Sequence, residues 1–307
     1  MMPTRRTWIQ QILAAAGTPL MAMPARGLEV DRLLARYKSS HWSEEHRLYR
    51  VDAALVVLSS PLHWFRGIGH GFLAVGETSD VSKATFLRFG AASSAERAGG
   101  FDRAGFIEEA SQGDEFASFG FITSGHDSRS NQSGGEYTAM DLSTTGRVCW
   151  FRRAGVPVDV KSRFSLDNLI GIIRGALPNS GGPHQMVQLA GPHPTFLHAL
   201  LRAVQEPVAP FCCTYVYNAK QFDLTVDRRE DARMAEVLRD KGLTRNPDIV
   251  RRYDGTIRDG AGQSTRRQWS FRFWREDHPE ARLPLRIEFQ PKEILRLSLE
   301  LSPMRTA

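Results

Sequence analysis

HWFRGIGHGF, residues 63–72, decides how the first third of the chain is read. Two histidines flank a glycine-rich centre, with aromatic residues on either side. A two-residue turn at Arg66-Gly67 pairs Phe65 with Ile68, Trp64 with Gly69 and His63 with His70. Glycine at the second turn position suits such a hairpin. The turn sets His63 and His70 opposite one another, close enough to share a metal ion. Two ligands fall short of the three that catalytic zinc takes from protein, and no H-E-x-x-H motif supplies another. Gly67-Ile68-Gly69-His70-Gly71 departs from G-x-G-x-x-G, which argues against a dinucleotide cradle. The stretch reads as a structural hairpin carrying one candidate metal pair, His63 and His70, and no cofactor is expected.

Outward from it, LYRVDAALVVLSS, GHGFLAVGE, ATFLRFGAA, EFASFGFITSG, EYTAMDL and RVCWFRRAG read as strands divided by Gly, Ser and Asp clusters. Most lie too close together for helical crossovers, so an antiparallel meander is expected. AERAGGFDRAGFIEEA lies among them as a short internal echo, and GHDSRSNQSGGE (125–136) as a solvated loop. Earlier in the chain, Leu28, Leu33, Leu34 and Tyr37 suggest a short amphipathic helix.

The middle of the chain reads as helical. FSLDNLIGIIRGALP has Ser165 as N-cap and Pro178 as a stop, with Leu166, Leu169, Ile170, Ile173 and Leu177 on one side. Its other positions are apolar too, so it covers either core or an apolar pocket. A second helix runs from Pro194 to Pro207. A third takes Asp227 and Glu230 as a capping box, Met234, Val237 and Leu238 as its stripe, and Gly242 as its end.

The last quarter is strand again. Leu295, Leu297, Leu299 and Leu301 alternate with Arg296, Ser298 and Glu300, and Trp269, Phe271 and Phe273 with Ser270 and Arg272. That pattern gives a sheet with one dry and one wet face. Strands, then helices, then strands, without a βαβ rhythm, give the expectation of an α+β fold. It would be a curled antiparallel β-sheet, with meander strands at both ends of the chain and three or four helices packed on it. Residues 26–307 then form one domain, or two docked lobes, 26–155 and 156–307.

Thr4-Arg5-Arg6-Thr7-Trp8-Ile9 matches the twin-arginine export pattern, with Arg5 and Arg6 as the signal. A weakly apolar stretch and small residues at Ala22 and Ala25 follow, giving a signal peptide over 1–25 and a periplasmic destination. Its loss takes the formal charge from +6 to +4. The excess is scattered and lacks the basic stripe that nucleic-acid binding requires. No run is long and apolar enough to read as a transmembrane segment. Cys149, Cys212 and Cys213 sit in apolar strand-like runs, where buried thiols are favoured over pairing of Cys149 with Cys212 or Cys213.

His184, His193 and His198 lack acidic or thiolate co-ligands. No G-x-S-x-G elbow marks a nucleophile. Arg251, Arg272, Arg286 and Arg296 read as solvated wet-face charges. The dry strands and the 165–177 helix place Ile170, Ile173, Trp269 and Phe271 at a candidate apolar ligand pocket. The element order is similar in pattern to envelope lipid and lipoprotein carriers with unclosed barrels, a likeness that transfers no residue role. The expected function is non-catalytic: a soluble periplasmic binder or carrier of a hydrophobic or amphipathic ligand, anionic lipid included. Its precursor would engage the twin-arginine machinery. The alternatives are an exported hydrolase with a pocket rimmed by the His63/His70 hairpin, and a structural envelope protein without ligand.

Overall fold

In the computed structural model, the described residues are 42–57, 60–78, 84–93, 103–125, 134–159, 166–206, 209–260, 268–292 and 295–302. The export motif, the Ala22 and Ala25 positions and the helix expected near Leu28–Tyr37 lie outside them, as does most of the 125–136 loop.

The alternating leucines form the last strand, β14 (Leu295–Leu301), which pairs antiparallel with the first, β1 (Trp42–Val57). That pairing joins the first and last described strands into one sheet, fourteen-stranded among the described residues. On one side of β1 follow β2 (Ser60–Thr78), β3 (Thr85–Ser93), β4 (Ala104–Gln112), β5 (Glu115–Gly125), β6 (Gly134–Thr145), β7 (Val148–Asp159) and β8 (Gln185–Gln188). On the other side of β14 follow β13 (Arg286–Lys292), β12 (Gln268–Glu276), β11 (Val250–Asp259), β10 (Lys220–Glu230) and β9 (Phe211–Tyr217). Every neighbouring pair of strands is antiparallel.

The sheet curls until its outer strands meet. Val216 of β9 packs with Leu142, Cys149 and Leu189 in one apolar cluster. Thr195 bridges Val216, whose N–H donates to Pro194 O at 2.9 Å. These contacts close a barrel whose seam is irregular chain, which covers edges that would otherwise present unpaired backbone groups.

Three α-helices lie among the described residues: α1 (Leu166–Ser180), α2 (Phe196–Gln205) and α3 (Ala232–Asp240). They form no common layer. Leu169, Ile173 and Leu177 of α1 pack on the convex face of β4–β7, against Phe106, Phe119, Phe121 and Val156. Ala235 and Leu238 of α3 pack on the same face of the other half, against Val250 and Trp274. α2 lies on the concave face. Its Leu197 meets Val75, Leu87 and Ile107, while Ala199 and Ala203 meet Leu224, Tyr253 and Phe273. One short helix thus touches both walls of the barrel.

The α+β expectation is overturned. The structure is mostly antiparallel β-sheet with three short helices, not a sheet bearing a helical layer. The strand-like run around Cys212 and Cys213 is β9, and it forms a hairpin with β10 through Asn218 and Ala219, both at positive φ, as a tight primed turn requires. Asp227 and Glu230, read as a capping box, belong to β10, and the true cap is Asp231, which accepts Met234 N–H at 3.1 Å. Pro178 sits inside α1, which runs on to Ser180.

The expected hairpin at 63–72 is also corrected: those residues are the middle of one 19-residue strand, β2. Val51 pairs with Gly69 and Ala53 with Phe65, so Arg66-Gly67-Ile68 bulges opposite Asp52 alone. Gly67 holds φ +60°, and its N–H donates to Asp52 Oδ1 at 2.6 Å. Glycine serves a bulge here instead of a turn.

Candidate functional site at the free end of the concave face

α2 owes its place to one carboxylate. Glu109 of β4 is fully buried (0% exposed), and its Oε2 accepts Leu197 N–H at 2.8 Å, His198 N–H at 3.1 Å and the Thr195 hydroxyl at 2.7 Å. Unpaired N–H groups and the positive end of the helix dipole both favour an anion there. His198 Nδ1 lies 3.2 Å from the same oxygen, and the His198 ring meets Phe116 edge-on. His198 is therefore buried, with the acidic neighbour that its sequence context did not show.

The neighbouring Glu108 points the opposite way, as strand alternation requires. On the convex face it accepts Arg88 Nε at 2.7 Å and an Arg174 N–H at 3.2 Å, which fastens α1. Both glutamates went unread in the sequence because GFIEEAS sat within the irregular echo. Two adjacent acids inside an apolar run were the available signal.

Where α2 lies, the concave face is dry: Val75, Leu87, Ile107, Tyr253 and Phe273 are all buried. Towards the opposite end the same face opens. Gly255, Phe271, Phe289, Leu297, Ala53 and Phe65 are successive cross-strand partners from β11 to β2. The Phe271 ring lies over Gly255 so closely that a β-carbon there would fall 1.9 Å from it. Phe271, Phe289 and Leu297 are half-buried, and Phe65 is 43% exposed. Leu55, one step further out, is 44% exposed, and Ile122 on β5 is 59% exposed. Between Ile122 and Tyr49 the row narrows to Gly105, Ala91 and Gly71, and Leu299 packs against the position a side chain would take at Gly71.

The candidate pocket residues are divided by the sheet. Trp269 and Phe271 lie on the concave face, half-buried, with the Trp269 ring 6.2 Å from Phe222. Ile170 and Ile173 belong to α1 on the convex face, where Ile173 is 0% exposed within a core cluster. The sequence placed all four at one pocket, and the structure brings only the first two together.

His63 and His70 stand opposite Leu55 and Arg50 on β1, so the strand that replaces the hairpin separates them. His63 packs edge-on to Phe65 at 4.6 Å. Among the described residues no group of three or more His, Cys, Asp or Glu is placed to hold a metal ion. His184 Nε2 lies 3.1 Å from Asp141 Oδ1, far in role from His198. All three cysteines are free thiols, and burial pushes Cys149 up to about 12 and Cys213 up to about 11. Cys212 is exposed, against the expectation of buried thiols. Among the wet-face arginines, Arg286 bonds Glu288 and Glu300, and Arg251 lies 3.8 Å from Glu230.

No helix among the described residues is long and apolar enough to cross a membrane. No protein-family model matches the chain, and no curated protein matches it. Among solved structures, it is similar to a beta-barrel-like protein of a domain of unknown function, DUF1849, from Brucella abortus. The two share 9% identity at a TM-score of 0.42, over 84% of this chain and 94% of that one.

Proposed function

We propose that the protein is a non-catalytic binder of a hydrophobic or amphipathic ligand, seated at the end of the concave face that α2 leaves free. The observation that carries this reading is the change in burial along one face. Apolar side chains buried around α2 give way to Phe65, Leu55 and Ile122 at 43%, 44% and 59% exposure, with Trp269 and Phe271 half-buried between. Apolar surface facing inward at a barrel mouth is where an apolar chain gains most by leaving water. We place the protein in the periplasm, exported by the twin-arginine route, on the strength of Arg5, Arg6 and the segment after them.

Titration of the purified protein with a fluorescent fatty-acid probe tests the binding reading. Saturable binding that weakens in Ile122→Glu supports it. Absence of saturable binding in the wild type removes it. Replacing Arg5 and Arg6 together by Lys tests the route, since the precursor should then stay in the cytoplasm.

A further inference from the structure

The convex face holds a second feature that the ligand reading does not use. Between β2, β1, β14, β13 and the chain after α3 lies a half-open cavity of about 820 Å³. Four cationic side chains line it (Arg50, Arg66, Lys241 and Arg286), with His70 beside them. Only two carboxylates do, Asp52 and Glu300, and both are buried.

Each of those carboxylates already accepts three hydrogen bonds. Glu300 Oε2 accepts Arg286 at 2.6 Å and Lys241 Nζ at 2.5 Å, while Oε1 accepts Arg50 at 3.3 Å. Asp52 takes Arg50 through two bonds of 3.1 Å and the Gly67 N–H at 2.6 Å. The donors are far from spent. An ammonium carries three N–H bonds and a guanidinium five. Lys241 is bonded to Glu300 alone, and the exposed Arg66 has no carboxylate partner among the described residues. Arg286 is also bonded to Glu288 at 2.8 Å, outside the lining, so the charged cluster keeps one net positive charge, on Arg66, together with a surplus of N–H groups. Trp64, Leu243 and Leu301 supply apolar surface at the same cavity.

We infer that this cleft binds an organic phosphate. A phosphate monoester is strongly anionic at neutral pH, with a charge of about −1.5 to −2, and suits a cationic wall with N–H groups to spare. Its oxygens suit arginine forks approaching from several sides, where a carboxylate offers two oxygens in one plane. The organic part would lie on Trp64 and Leu243. The same phosphate chemistry belongs to a soluble ester and to a lipid headgroup. This inference stands independently of the concave-face reading.

Calorimetric titration of the full chain with phenyl phosphate tests it, with phenylacetate as the carboxylate control. Sedimentation with vesicles containing phosphatidic acid, against phosphatidylcholine alone, tests the lipid source. The variants are Arg66→Gln, whose side chain makes no ion pair among the described residues, and Lys241→Met. We expect phenyl phosphate to bind at least tenfold more tightly than phenylacetate, and Arg66→Gln to weaken it about tenfold with an unchanged melting temperature. Binding to phosphatidic-acid vesicles lost in Arg66→Gln assigns the headgroup, and phenyl phosphate binding without vesicle binding assigns a soluble ester. Binding of neither, equal binding of phenylacetate, or phosphate binding unaffected by Arg66→Gln overturns the inference.

Discussion

Glu109 Oε2 on β4 lies 2.8 Å from the backbone nitrogen of Leu197, so the first turn of α2 is capped by a strand on the barrel wall and not by its own sequence. Thr195, in the N-cap position, makes no side-chain cap bond and instead donates its hydroxyl to the same carboxylate. Helix and wall are fixed by one group.

Removing that group strands several buried donors. Glu109→Ala should destabilise the fold by about 3 kcal/mol, the scale for deleting a buried charged partner. Glu109→Gln keeps an acceptor and should cost less. Urea unfolding checks both, and equal, negligible losses would show that α2 is held by its apolar contacts alone.

Gly67 carries the second local constraint. At φ +60° a β-carbon is strained, so Gly67→Ala should cost roughly 1–2 kcal/mol. Asp52→Ala should cost a similar amount by leaving the Gly67 N–H without this acceptor. Thermal unfolding of the two single variants and the double variant measures the coupling between them. A double loss equal to the sum of the single losses would argue against the bond.

Asp141 sets an acid limb. Burial pushes its carboxyl up, but hydrogen bonds and charge from His184 and Arg152 outweigh burial and hold it below the ordinary range. A carboxyl lowered on folding adds stability that is present above its unfolded pKa, about 3.9, and lost as pH falls through the folded value. Melting temperature should thus decline below about pH 4, with a shallower decline in Asp141→Asn. Parallel acid limbs in the two proteins would contradict this.

Ile173 and Phe65 separate core from site. Ile173 is fully buried between α1 and the convex face, so Ile173→Ala should cost about 2–5 kcal/mol and leave probe affinity unchanged. Phe65 is 43% exposed on the concave face, so Phe65→Ser should cost little stability and weaken the probe severalfold. The reverse pattern would move the site to the other side of the sheet.

The alternation of Leu295–Leu301 and Trp269–Phe273 was legible as strand from its period of two, and the three helices from apolar spacing, but burial on β14 departs from that pattern, with Ser298 and Glu300 buried and Leu295, Leu297 and Leu301 half-buried. β2 was not legible as one strand, because a bulge and a hairpin ask for the same glycine. β10 was hidden by Asp227 and Glu230, whose spacing imitates a helix cap four residues ahead of Asp231, the residue that serves. Glu109 could not be assigned its role in advance. Its partners stand 88 and 89 residues away, and only closure of the sheet brings them together. The division of Ile173 from Trp269 has the same cause, since pattern gives burial but not which face of a curled sheet supplies it.

Photo-crosslinking with a diazirine-bearing fatty acid, followed by peptide mass spectrometry, tests the concave-face site most directly. The account predicts saturable, competable adducts on peptides carrying Phe65, Ile122 and Trp269–Phe271. Adducts confined to α1 or the convex strands, or no competable adducts at all, would contradict it.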